Sequence, residues 1–165
     1  MLKLLGSACV LGGGVLAVVR KLAERRRQRQ TLADLTTALR HMAEEIRLMR
    51  TPLPRLLEGS AQGLSEDAAA FFLAVSDGLR QGESAAESWC RAAAVLPLAE
   101  RDRAAISAVG KCLQGDEESA CKGISLAIYE LAKSAEEWEK LRPEEAKRTA
   151  ALYLSAAALL VILLI

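Results

Sequence analysis

Residues 31–49 read TLADLTTALRHMAEEIRLM. Leu32, Leu35, Leu39, Met42, Ile46 and Met49 recur at spacings of 3, 4, 3, 4 and 3, which places them on one face of an α-helix. The charged residues Arg40, Glu44 and Arg47 fall off that seam. Two uses of the seam are open: a coiled-coil dimer, or a long helix packing on its own domain. About two and a half heptads is less than the three to four that a coiled coil needs, which favours packing within the domain. Composition agrees with helix throughout. The 165-residue chain holds 30 Ala and 28 Leu against 19 Val, Ile and Thr together. Straight-chain residues lose little rotamer freedom in a helix and β-branched ones lose more.

Moving toward the N-terminus, residues 20–30 carry Arg20, Lys21, Arg25, Arg26, Arg27 and Arg29 with one acidic residue, Glu24. Before them lie eighteen residues, Leu2 to Val19, with a single charge at Lys3. On a helical rise of 1.5 Å they span roughly 27 Å, near the ~30 Å hydrocarbon core of a bilayer. A cleavable signal peptide fits less well, because basic residues follow directly and no Ala-x-Ala site precedes them. A lipoprotein signal at Cys9 has too few residues before it. The first helix is expected to run unbroken from this segment to about Arg50.

Moving toward the C-terminus, Thr51-Pro52 ends that helix and starts a short one that closes around Gly59 to Gly63. Ser65-Glu66-Asp67 caps a third helix, with Ala68, Phe72, Val75 and Leu79 on one face and Gly82 as its stop. Ser84 to Glu87 is a capping box opening a fourth, which carries Trp89, Ala93 and Leu96 and ends at Pro97. A fifth turns Ile106, Val109 and Leu113 inward. Gly115-Asp116 caps a sixth, which presents Ile124, Ile128, Leu131, Ala135 and Trp138. Trp89 and Trp138 are both expected in the core. Pro143 should kink the sixth helix or separate it from Ala150 to Ile165, sixteen residues without a charge that span roughly 24 Å.

The fold class read from this pattern is all-α: a helical bundle of about six helices inserted between N- and C-terminal transmembrane helices. The segments are a membrane helix at 1–19, a cytoplasmic helical domain at 20–149 and a second membrane helix at 150–165. Basic residues flank both spans on the inner side, the second set including Lys147 and Arg148. The positive-inside rule then puts the domain in the cytoplasm and both termini across the membrane. The arginine cluster has no interleaved aromatics and abuts an apolar span, so it suits an anionic lipid surface rather than nucleic acid. Small residues four apart in the first span, Ala8 with Gly12 and Gly13 with Ala17, offer a close-packing face. Ala151 and Ser155 offer another in the second.

Little here supports catalysis, a cofactor or a metal. Glu44-Glu45 and Glu136-Glu137 are sequence neighbours and diverge on a helix. His41, the single histidine, lies beside the seam and is expected to be solvated or satisfied. The scattered cysteines Cys9, Cys90, Cys112 and Cys121 fit no zinc spacing and are expected to be small buried residues. No enzyme is expected. Residues 31–139 carry 11 basic and 18 acidic side chains, a net of −7, so a basic protein partner is expected. Glu45, Glu136, Glu137 and Glu139 are the candidate partner-facing residues. Arg20, Lys21, Arg25, Arg26, Arg27, Arg29, Lys147 and Arg148 are the candidate membrane-surface collar.

Several local patterns resemble the stage III sporulation protein AB family of endospore-forming bacteria. They are the opening Met1-Leu2-Lys3-Leu4-Leu5-Gly6, the stretch Arg25 to Gln30 leading into the leucine seam, and Glu45-Ile46 followed after four residues by Thr51-Pro52-Leu53. Ser88-Trp89, Gly110 with Leu113, and Lys122 to Ala127 complete the resemblance, which covers the whole chain. The family often has a second Gly soon after the Gly110 position and a Gly in its second span, where this chain has Gln114-Gly115 and an alanine run. The resemblance implies a cytoplasmic domain similar to the inner-membrane platform protein of type II secretion and type IV pilus machines. It implies a place in the channel apparatus between mother cell and forespore, in the mother-cell membrane facing the forespore. The implied partners are a secretion-type ATPase, stage III sporulation protein AA, and other membrane proteins of the same channel. The alternatives are a platform subunit of another such machine, or a membrane-anchored coiled-coil scaffold.

Overall fold

The computed structural model describes the backbone of residues 2–48 and 52–164 and the side chains of residues 19–48 and 52–140. Among the described residues six helices follow one another: α1 (Leu2–Leu48), α2 (Leu53–Ser60), α3 (Glu66–Arg80), α4 (Ala85–Val95), α5 (Glu100–Cys112) and α6 (Glu117–Leu164). No strand occurs among the described residues. Each helix packs on the next, and α6 returns to α1, so the bundle closes as a ring in sequence order. Short connections force neighbours to alternate in direction. α1 therefore descends through the bundle and α6 climbs back beside it.

Local chemistry sets most of the boundaries. Ser84 accepts from the Glu87 backbone N–H while the Glu87 carboxylate accepts from the Ser84 N–H, a complete capping box. Gly82 turns the chain after α3 at φ 87°, a conformation that disfavours any side chain. Asp116 accepts from the Ser119 N–H and starts α6. Two boundaries differ from the sequence reading. α2 begins at Leu53, with Pro52 in extended geometry as its N-cap. α6 runs as one helix through Pro143, which therefore does not separate it from the terminal segment.

The core gathers Leu32, Leu35, Leu39 and Met42 of α1 with Leu57, Phe72, Val75, Trp89, Ile106, Val109, Ile124 and Leu131. The α1 seam is thus filled by helices of its own chain, with Ile46 half-buried at its lower end. The coiled-coil reading loses its surface. Trp89 is fully buried and meets Phe71 and Phe72 edge-on, at ring separations of 5.2 and 6.3 Å. Trp138 departs from expectation. It is half-buried where α6 leaves the bundle, and the Arg29 guanidinium covers its ring at 5.7 Å. Cys90 is exposed and Cys112 intermediate; Cys121 alone of the three is a buried residue. Cys9, the small residues of both apolar segments, Met49, Thr51, Lys147 and Arg148 lie outside the described side chains. Among the described residues no helix is long and apolar enough to cross a membrane; the side chains of residues 2–18 and 150–165 are not among those described.

Candidate functional site

The two long helices fix a height scale for the surface. Arg29 stands beside Trp138, and the Cys121 thiol approaches the Ala43 carbonyl at 3.9 Å. The numbers of level residues on α1 and α6 therefore add up to 167 and 164 at these two places. Val19 lies ten residues, about 15 Å, above Arg29, and Ala150 lies twelve, about 18 Å, above Trp138. Leu48, at the other end of α1, is about 44 Å below Val19.

Just below the apolar segments lies the basic collar, and the bundle has drawn part of it in. Arg27 binds Asp67 of α3 through two parallel hydrogen bonds, Nε to Oδ2 and Nη2 to Oδ1, both 2.5 Å. Buried Thr31 donates to the Arg27 carbonyl at 3.0 Å and lies 3.4 Å from the same carboxylate. The Arg27 hydrogen bond holds the Asp67 carboxyl below the usual carboxylate range, against the effect of its burial. Arg29 lies over Trp138 with its Nε buried and without a hydrogen-bond partner. Arg20, Lys21 and Arg26 are exposed. The collar thus anchors α1 to α3 and α6 as well as presenting charge.

Between α1 and α6 an open groove of about 720 Å³ has Arg26, Arg29 and Arg40 on the α1 side and Glu136 and Glu139 on the α6 side, with Ala33, Ala132 and Ala135 between them. Glu137, adjacent in sequence, points elsewhere and meets Arg101 of α5 at 3.5 Å, where Arg101 also binds Glu130 at 2.7 Å. Glu136, Glu137 and Glu139 of α6 therefore divide between two faces. Glu45 is half-buried in a separate cleft of about 440 Å³ between α1 and α2, with exposed His41 and Arg55.

The end of the bundle farthest from the apolar segments has its own character. Arg47, Asp116, Glu117, Glu118 and Cys121 line a shallow depression of about 410 Å³. Leu48 beside it is 79% exposed. Hydrogen bonds from Ser119 hold the Asp116 carboxyl below the usual range, so it is charged at neutral pH. Sequence reading passed over this cluster because Glu117 and Glu118 look like ordinary first-turn acids on a helix. Only the return of α6 beside Arg47 and Leu48 makes a surface of them.

A family model for stage III sporulation protein AB matches residues 3–165. The chain belongs to the stage III sporulation protein AB family. A solved structure described as Stage III sporulation protein AB is similar at 26% identity and a TM-score of 0.65, covering 71% of this chain and 97% of that one. No match emerges among the curated proteins. The family's patterns acquire physical reasons in the bundle. Ile46 near the end of α1 and Leu53 at the start of α2 both pack against the core. Ser88 and Trp89 fill the space that Gly78 and Gly110 leave for them. Membership ties the chain to sporulation, and with it the reading as a subunit of an unrelated secretion machine falls away.

Proposed function

We propose that this protein is a non-enzymatic, membrane-anchored subunit of the sporulation channel apparatus, held by both apolar ends and offering its helical domain to a cytoplasmic ATPase of the secretion type. Membership of the stage III sporulation protein AB family is the observation that carries the reading. The height scale supports the anchoring, since the two apolar segments start within about 3 Å of each other along parallel stretches of α1 and α6. A hairpin entering one bilayer needs that match. On this reading residues 20–149 lie in the cytoplasm and Arg20, Lys21 and Arg26 face the headgroups.

The docking face for the ATPase is best placed at the far end, where the Asp116–Glu118 cluster lies beside Leu48, with Glu45 in the neighbouring α1–α2 cleft. An assembly approaching from the cytoplasm meets that end first, about 44 Å from the apolar segment. An acidic rim around an exposed leucine combines steering with an apolar anchor. The test is a binding titration between the full chain in detergent and purified ATPase at low and high salt. Affinity should fall with salt, and the double change Glu117→Lys, Glu118→Lys, which leaves the Asp116 cap in place, should weaken it without loss of helix content. No binding at either salt would overturn the docking role. Binding indifferent to both would move the face elsewhere.

A further inference from the structure

The α1–α6 groove has the charge pattern of a surface made to meet its own copy. Along α1, Arg26, Arg29, Ala33, Thr37 and Arg40 form one stripe; along α6, Tyr129, Ala132, Glu136 and Glu139 form the other. One rim is positive and the other negative. Yet among the described residues Arg26, Arg40, Glu136 and Glu139 make no ion pair. The antiparallel register puts Arg26 and Arg29 at the height of Glu139 and Glu136.

We infer that the groove is a homodimer interface, in which two copies meet about a two-fold axis parallel to α1 and α6. The inference rests on the proposed anchoring of both ends, because two chains held in one bilayer can share only an axis along the membrane normal. Such a rotation brings α1 of one copy opposite α6 of the other at equal height. Arg26 and Arg29 then face Glu139 and Glu136 of the second copy, and the same pairing repeats on the other side of the axis. An axis across the helices would break this match of heights.

The floor and the lower rim suit the same occupant. Ala33, Ala132 and Ala135 leave room for close approach of another helix. One turn down α6 from Ala132, Tyr129 is 64% exposed, a large aromatic side chain left open to solvent. In the dimer it lies at the level of Thr36 and Thr37 of the second copy. Paired charges with an apolar strip give both registration and burial.

The experiment uses the full chain in detergent, with its mass measured by light scattering and its partition between soluble and membrane fractions recorded separately. The wild type should have the mass of a dimer. Arg26→Glu and Glu139→Arg should each shift the equilibrium toward monomer by about tenfold or more, since each change replaces two symmetric attractions with repulsions. The double variant Arg26→Glu, Glu139→Arg exchanges the rims and should restore the dimer. Arg26 and Glu139 are both exposed, so circular dichroism should stay constant across the set. A monomeric wild type overturns the interface, including one that instead gathers on anionic vesicles through the same arginines. A dimer indifferent to both reversals overturns it as well. If the chain stays in the soluble fraction, the anchoring fails instead, independently of the measured mass.

Discussion

Gly110 on α5 lies directly against Trp89 on α4: a Cβ placed on it would stand 2.5 Å from the Trp89 Cβ and 3.0 Å from Cγ. The helices approach closely here because one of them has no side chain. Gly78 and Gly123 do the same at neighbouring crossings, against Ser88 and Cys112. Gly110→Ala must push α5 away from a fully buried indole and should cost about 1–3 kcal/mol, the usual price of overpacking. Gly59→Ala is the control, since nothing lies within 4 Å of a Cβ there. Urea unfolding of the two variants measures the contrast; equal midpoints would show that the crossing is loose.

The Arg27–Asp67 clamp makes stability depend on acid. Its partner's hydrogen bond lowers the Asp67 carboxyl below its unfolded value. That contribution is fully present above the ordinary carboxylate range and fades as pH falls through the lowered folded value. Glu83, Asp116 and Glu130 are lowered too, by Arg91, Ser119 and Arg101 respectively. Acidification should therefore destabilise the domain in steps. Asp67→Asn should unfold at lower urea than the wild type at pH 7, and the gap should narrow near pH 3. The expected size is modest, because Arg27 is mostly exposed.

A buried polar link between α5 and α6 should matter more per atom. Ser134 donates to Asp102 at 2.5 Å, and both residues are buried. Asp102 sits in the first turn of α5, where the helix dipole favours a negative charge. Ser134→Ala removes the donor and leaves the carboxylate desolvated, at a cost of about 1–3 kcal/mol. The double variant Ser134→Ala, Asp102→Ala should be less destabilised than the sum of the two single changes. Additive effects in a double-mutant cycle would sink the claim that they act as a pair.

What the sequence revealed follows from how local each signal is. The Ser84–Glu87 box, the Gly82 stop, the Asp116 cap and the Leu32–Met42 seam each lie within a few turns, and all are found in place. Arg27 with Asp67, forty residues apart, and Arg29 with Trp138, 109 apart, depend on which helices become neighbours, and no periodicity encodes that. Trp138 keeps helical spacing with the core residues but is only half-buried, and the Arg29 side chain of α1, not an apolar one, lies over its ring. Cys90 is exposed because its neighbour Trp89 takes the inward position. The division of Glu136 from Glu137 was legible, as adjacent helical residues must diverge. The basic rim opposite Glu136 was not.

The topology has a built-in reporter. Cys90 is exposed on α4, so a cysteine of the native chain already marks the helical domain for thiol reagents. Cys9 and Cys112 are replaced, Cys121 is buried and left in place, and a single new cysteine is introduced as Met1→Cys. Anchoring by both ends with basic collars inside puts position 1 across the membrane and Cys90 in the cytoplasm. A membrane-impermeant maleimide on intact cells should then label position 1 and spare Cys90, and permeabilised cells should show both. A Cys90→Ser version identifies any signal that belongs to Cys121. Labelling of Cys90 in intact cells, with position 1 protected, would invert the hairpin. The domain would then face away from every cytoplasmic ATPase, and the docking role would fall with the topology.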